Sequence, residues 1–121
     1  MLWTVSVEHS LAYLYVVGSG PATLPDACGL ADMVATICSQ TRKRRVLFDL
    51  LGADVFGFSF TEHLTLGAHV AERLAHLERV ATVVIPRNRV GISERAAQHH
   101  GLLIKAFTEL QPARSWLTDE D

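Results

Sequence analysis

The chain has 121 residues, 49% of them hydrophobic, which is enough apolar material for a compact core and excludes a disordered segment. Its 11 basic and 13 acidic residues leave a formal charge of −2, so no whole-molecule field favours nucleic acid or an anionic membrane. The opening Met1-Leu2-Trp3-Thr4-Val5 lacks the basic start and apolar stretch of a signal peptide, and no later apolar run approaches the roughly 18 residues of a membrane span.

Trp3 to Val7 and Leu11 to Val17 are β-branched or aromatic around the polar Glu8-His9-Ser10 and predict a hairpin. Gly18-Ser19-Gly20-Pro21 reads as the turn that stops its second strand. Thr23 and Asp26 have N-cap spacing, and Leu30, Met33, Val34 and Ile37 form a helical stripe, so a first helix runs to about Gln40. Cys28 and Cys38 fall on that helix roughly 15 Å apart, too far to pair. Both read as core-filling thiols of a reducing compartment, and the expected address is cytoplasmic.

Arg42-Lys43-Arg44-Arg45 reads as a solvated connection to a buried strand at Val46 to Leu51. A second helix starts near Thr61 and ends around Glu78, with Leu66, Val70, Leu74 and Leu77 on one face. Val80 to Ile85 is a strand closed by Pro86. Ser93 reads as the cap of a short third helix ending at Gly101, Leu102 to Phe107 as the last strand, and Pro112 as the start of a fourth helix anchored by Trp116 and Leu117. The order β-β-α-β-α-β-α-β-α predicts one α/β domain over residues 1–121, a mixed five-stranded sheet covered by about four helices.

That order, with VLFDLLGA at 46–53, RVATVVIPRNRVGISERAA at 79–97 and LLIKAFTELQPARSWL at 102–117, resembles the STAS-like superfamily, and within it the SpoIIAA-like (STAS/SEC14-like) branch. The resemblance covers nearly the whole chain. It implies a bacterial regulator related to anti-sigma-factor antagonists, in which a serine at the start of the helix after the third strand is phosphorylated by a partner kinase. Here that stretch is Asp54 to Thr61; it carries no Asp-Ser-Ser or Asp-Ser-Thr sequence, and Ser59 and Thr61 are the approximate positional matches.

Phe56, Phe58 and Phe60 alternate with Gly57 and Ser59, so an extended backbone puts all three rings on one side, as a protein-binding surface, an apolar ligand wall or a lid on the core. The carboxyl edge of the parallel strands gathers Ser59, Thr61, the loop from Pro86 to Ser93, and Thr108. Arg87, Arg89 and Ser93 there could meet an anion or an acidic side chain. His69, Glu72 and His76 share the polar face of the second helix, where a solvated face outweighs a metal site; no metal or cofactor is expected. Asp49 is a carboxylate in a buried strand, but no nucleophile–base pair accompanies it and no enzyme is expected. The leading expectation is a regulatory module binding a protein partner, or a second copy of itself, through the loop and helix after the third strand. The rival is a carrier of a small apolar molecule or lipid on Phe56, Phe58 and Phe60.

Overall fold

A computed structural model describes residues 2–10, 12–55, 57–86 and 91–119. The elements are β1 (Thr4–His9), β2 (Leu14–Pro21), α1 (Leu24–Thr41), β3 (Arg45–Asp54), α2 (Phe60–Arg73), β4 (Arg79–Val83), α3 (Ile92–His99), β5 (Ile104–Phe107) and α4 (Leu110–Thr118). The strands form one sheet in the order β1-β2-β3-β4-β5, with β1 antiparallel to β2 and every other pair parallel. This is the predicted mixed α/β architecture. Among the described residues no helix is long and apolar enough to cross a membrane.

Period-2 alternation divides the core between the two faces of the sheet. Val46, Phe48, Val80 and Ile104 pack with Leu14, Val16, Leu30, Val34 and Leu74 under α1, α2 and α3. Leu47, Ala81 and Val83 point the other way and pack against α4, through Ala113 and Leu117, with Tyr15 and Phe107 beside them. Among the described residues three helices thus cover one face and one helix the other.

Several boundaries differ from the sequence expectation for local reasons. Ser10 closes the hairpin, its hydroxyl accepting from Tyr13 N at 3.1 Å and donating to Tyr13 O at 2.8 Å. β2 does not stop at Gly18 but runs on to Pro21. Its glycines serve close approach: a Cβ on Gly18 would lie 2.6 Å from the Trp3 ring, and one on Gly20, at φ +93°, 2.4 Å from Leu2 O. A register shift between Val17 and Ser19 carries the pairing on to Ala53 and Asp54, so β3 is longer than predicted. α2 starts at Phe60, and its end at Arg73 falls short of Glu78 because the chain turns there, with Leu77 N bonded to Leu74 O. β4 ends at Val83 and β5 begins only at Ile104, since Leu102 N is drawn to Ala97 O at the close of α3. α4 opens at Leu110, which places Pro112 inside its first turn.

The basic run at 42–45 is more than a solvated connection. Lys43 donates to Ser10 O, and Arg45 donates to Leu117 O at 2.7 Å and Asp119 O at 2.9 Å, so one guanidinium clips the end of α4 to β3. Arg79 donates to Trp116 O and lies over the indole, 5.4 Å from its centroid.

Asp49 sits on the α4 side of the sheet, accepting from Tyr15 OH at 2.6 Å and Leu51 N at 3.2 Å. Burial, then the hydrogen bond to Asp49, pushes the Tyr15 phenol up to about 12. The folded state therefore holds this proton more tightly than the unfolded chain, and the associated stability is complete below about pH 10 and lost as pH rises towards 12. Tyr15→Phe is expected to flatten the fall in urea-unfolding free energy over that interval; an unchanged slope would remove Tyr15 as its source.

Candidate functional site

The carboxyl ends of β2, β3, β4 and β5 share one edge with the start of β1, and a half-enclosed pocket of about 180 Å³ opens there beneath α1, α2 and α3. Small side chains make the room: Ala27, Ala31, Ala53, Ala97 and Ala106 all line it. Trp3, Leu50, Val55, Phe58, Leu66 and Val70 supply the apolar wall, and each stays only half-buried. The polar members are few. His63 Nδ1 and Ser93 Oγ share a 2.8 Å hydrogen bond across α2 and α3. Glu94 Oε1 accepts from Ala106 N and Gln98 Nε2, each at 3.2 Å. Desolvation lowers the His63 pKa, against an opposing pull from Glu62, so the imidazole is neutral at pH 7.

Gly67 sets how closely α2 and α3 meet beside this pocket. A Cβ there would lie 2.4 Å from Ser93 O and 2.6 Å from the Ala96 methyl. The same close crossing brings Ser93 to His63.

Phe58 and Phe60 do not share a side. Phe58 N bonds back to Val55 O at 3.1 Å, a turn that ends the extended backbone on which the alternation depended. Phe58 lines the pocket with its ring 5.4 Å from the His63 ring, whereas Phe60, in the first turn of α2, is 62% exposed. Phe56 lies outside the described residues, as do Arg87 and Arg89. An apolar ligand in the pocket would meet Phe58 and not Phe60.

Ser59 is the N-cap of α2. Its hydroxyl accepts from Glu62 N at 3.1 Å while Glu62 Oε1 accepts from Ser59 N at 3.0 Å. Ser59→Ala should cost about 1 kcal/mol by urea unfolding, and a neutral result would show the cap is redundant. Thr61 is exposed in the first turn and does not line the pocket. Ser93 is not a cap: Gly91, at φ 79°, takes that position with no side-chain bond, and the Ser93 hydroxyl is engaged with His63. Thr108 follows β5 without lining the pocket.

A second concavity lies between α2 and α3, away from the sheet, where Phe60, Leu64 and Ile92 face Arg95, His99 and His100. Phe60 and Leu64 are one helical turn apart and 62% and 40% exposed. The predicted His69, Glu72 and His76 face is divided. His69 Nε2 and Arg73 Nε meet Asp32 Oδ1 at 2.8 Å and 2.9 Å, clasping α2 to α1, and His76 lies in the turn beyond α2. Among the described residues no three potential ligands gather to hold a metal. Burial pushes the Cys28 thiol up and the Cys38 thiol to about 11, which suits packing rather than reactivity.

The chain matches no family model and no curated protein. Among solved structures it is similar to an anti-sigma factor antagonist from Mycobacterium paratuberculosis, with a TM-score of 0.68 at 14% identity over 98% of this chain and 96% of that one. It is also similar to an uncharacterized protein with a SpoIIAA-like fold from Shewanella loihica, with a TM-score of 0.60 at 20% identity over 97% and 96% of the two chains. The fold is STAS/SpoIIAA-like, as the sequence resemblance implied.

Proposed function

We propose that this domain is a non-enzymatic regulatory module that binds a protein partner through the loop and helix following β3. The observation that carries this reading is the exposure of Phe60 and Leu64 side by side on α2, bordering a groove whose other wall is α3. An aromatic anchor beside an aliphatic one, rimmed by polar side chains and one arginine, has the make-up of a protein-binding surface. Arg95 is exposed at the rim beside His99 and His100, so the complementary segment is an amphipathic one with an acidic group to meet Arg95. The anti-sigma factor antagonist of similar fold supports a regulatory role by analogy of fold.

Ser59 and Thr61 flank Phe60 in the chain, and phosphorylation of either would place charge next to the anchor. Thr61 is the freer of the two, since a phosphate on Ser59 would displace its bond to Glu62 N and face the Glu62 carboxylate.

The test is affinity capture from the soluble fraction of the source cells, followed by titration of the captured protein onto wild type and onto Phe60→Asp/Leu64→Asp. The double variant should bind at least about tenfold more weakly with an unchanged thermal melt. Undiminished affinity would rule the α2 face out, and concentration-dependent sedimentation of wild type that the variant abolishes would make the occupant a second copy.

A further inference from the structure

We infer that the pocket under α1, α2 and α3 is a second binding site, for a small neutral alcohol or phenol whose hydroxyl meets His63. Size comes first. An engineered apolar cavity of about 150 Å³ holds benzene, so a pocket of about 180 Å³ suits a molecule of about seven to nine non-hydrogen atoms and is too small for a whole lipid.

Chemistry narrows the class. The wall is almost wholly apolar, with Thr82, His63, Ser93 and Glu94 as its polar side chains: Ser93 holds His63 Nδ1, while Glu94 Oε1 already accepts from Gln98 and Ala106. His63 Nε2 is the nitrogen left with no hydrogen bond among the described residues. A hydroxyl both donates and accepts, so it serves Nε2 in either tautomer of the ring. Charge is disfavoured on two grounds. An anion would meet the Glu94 carboxylate without a described lysine or arginine in the wall, and a cation would give up its hydration for a single carboxylate, one of whose oxygens already accepts from Gln98 and Ala106. Desolvation keeps His63 neutral, so none of the described lining residues carries a compensating positive charge.

The experiment is calorimetric titration of the full chain with p-cresol, toluene and octanoate, repeated on His63→Phe and Ala31→Leu. Wild type should bind p-cresol about tenfold more tightly than toluene, the effect of one hydrogen bond, and should not bind octanoate. His63→Phe should bring the two ring compounds to equal affinity. Ala31→Leu, which fills the pocket from α1, should abolish binding of both. Should Ala31→Leu fail to fold, nuclear Overhauser contacts from the p-cresol methyl to Leu66, Val70 and Val84 in wild type carry the same information. Failure of both ring compounds to bind, the absence of those contacts, or unchanged p-cresol binding in a folded Ala31→Leu protein would overturn the assignment. Octanoate binding more tightly than p-cresol would overturn it too, in favour of a fatty carboxylate.

Discussion

Gly67→Val is expected to lower the unfolding free energy by about 3 kcal/mol, although a side chain at this helical position would ordinarily be favoured over glycine. The first added carbon alone would stand 2.4 Å from Ser93 O, 2.6 Å from the Ala96 methyl and 3.1 Å from Ala97 N, and two of those three atoms are backbone. No rotamer relieves such a contact, so α3 must move off α2 as a body and take with it Ala97, which is buried in the core. The same shift separates Ser93 from His63. Gly29 provides the control: it lies in α1, exposed, with nothing within 4 Å of a Cβ, and Gly29→Ala should add about 1 kcal/mol. Urea unfolding of the two variants separates helix propensity from helix contact. A Gly67→Val protein as stable as wild type would mean that α2 and α3 are not in contact at this point in solution.

The contrast between these two glycines also marks what a linear reading can recover. Features whose cause lies within a few residues were legible: the Thr23–Asp26 cap, the α1 stripe, and the buried run around Leu47, whose residues the structure divides between the two faces of the sheet. The order of strands and helices followed from such local signals, and with it the carboxyl edge where the pocket opens. The pocket itself did not, because its room comes from alanines spread over α1, β3, α3 and β5, each unremarkable in its own segment. The alternation misled at Phe58 and Phe60 for a related reason. Alternation predicts a shared face only while the backbone stays extended, and the turn from Val55 to Phe58 ends that. His63 went unnoticed as a single histidine on a helix, but Gly67 one turn later was a usable sign: a mid-helix glycine is unfavourable and implies a close neighbour.

Leu117→Ala is expected to cost about 4 kcal/mol, towards the upper part of the range for a buried leucine, because of how unevenly the sheet is covered. On the side of α1, α2 and α3 a truncated side chain has neighbours from several helices that can settle into the space. On the other side α4 is the one helix over Leu47, Ala81 and Val83, and Leu117 is its fully buried anchor. The anchor and the backbone act together, since Leu117 O also accepts from Arg45 and the neighbouring Trp116 O from Arg79. Loosening the side chain therefore weakens two charge-assisted hydrogen bonds and the stacking of Arg79 on the indole. A loss of this size is a large share of a small domain's stability, so the amides of α4 should exchange with solvent well before those of β3 and β4. Leu103→Ala, at a position 55% exposed, should change stability by less than about 0.5 kcal/mol. If Leu117→Ala were as mild as Leu103→Ala, α4 would not be docked on the sheet in solution, and Leu47, Ala81 and Val83 would form an open apolar face needing another cover.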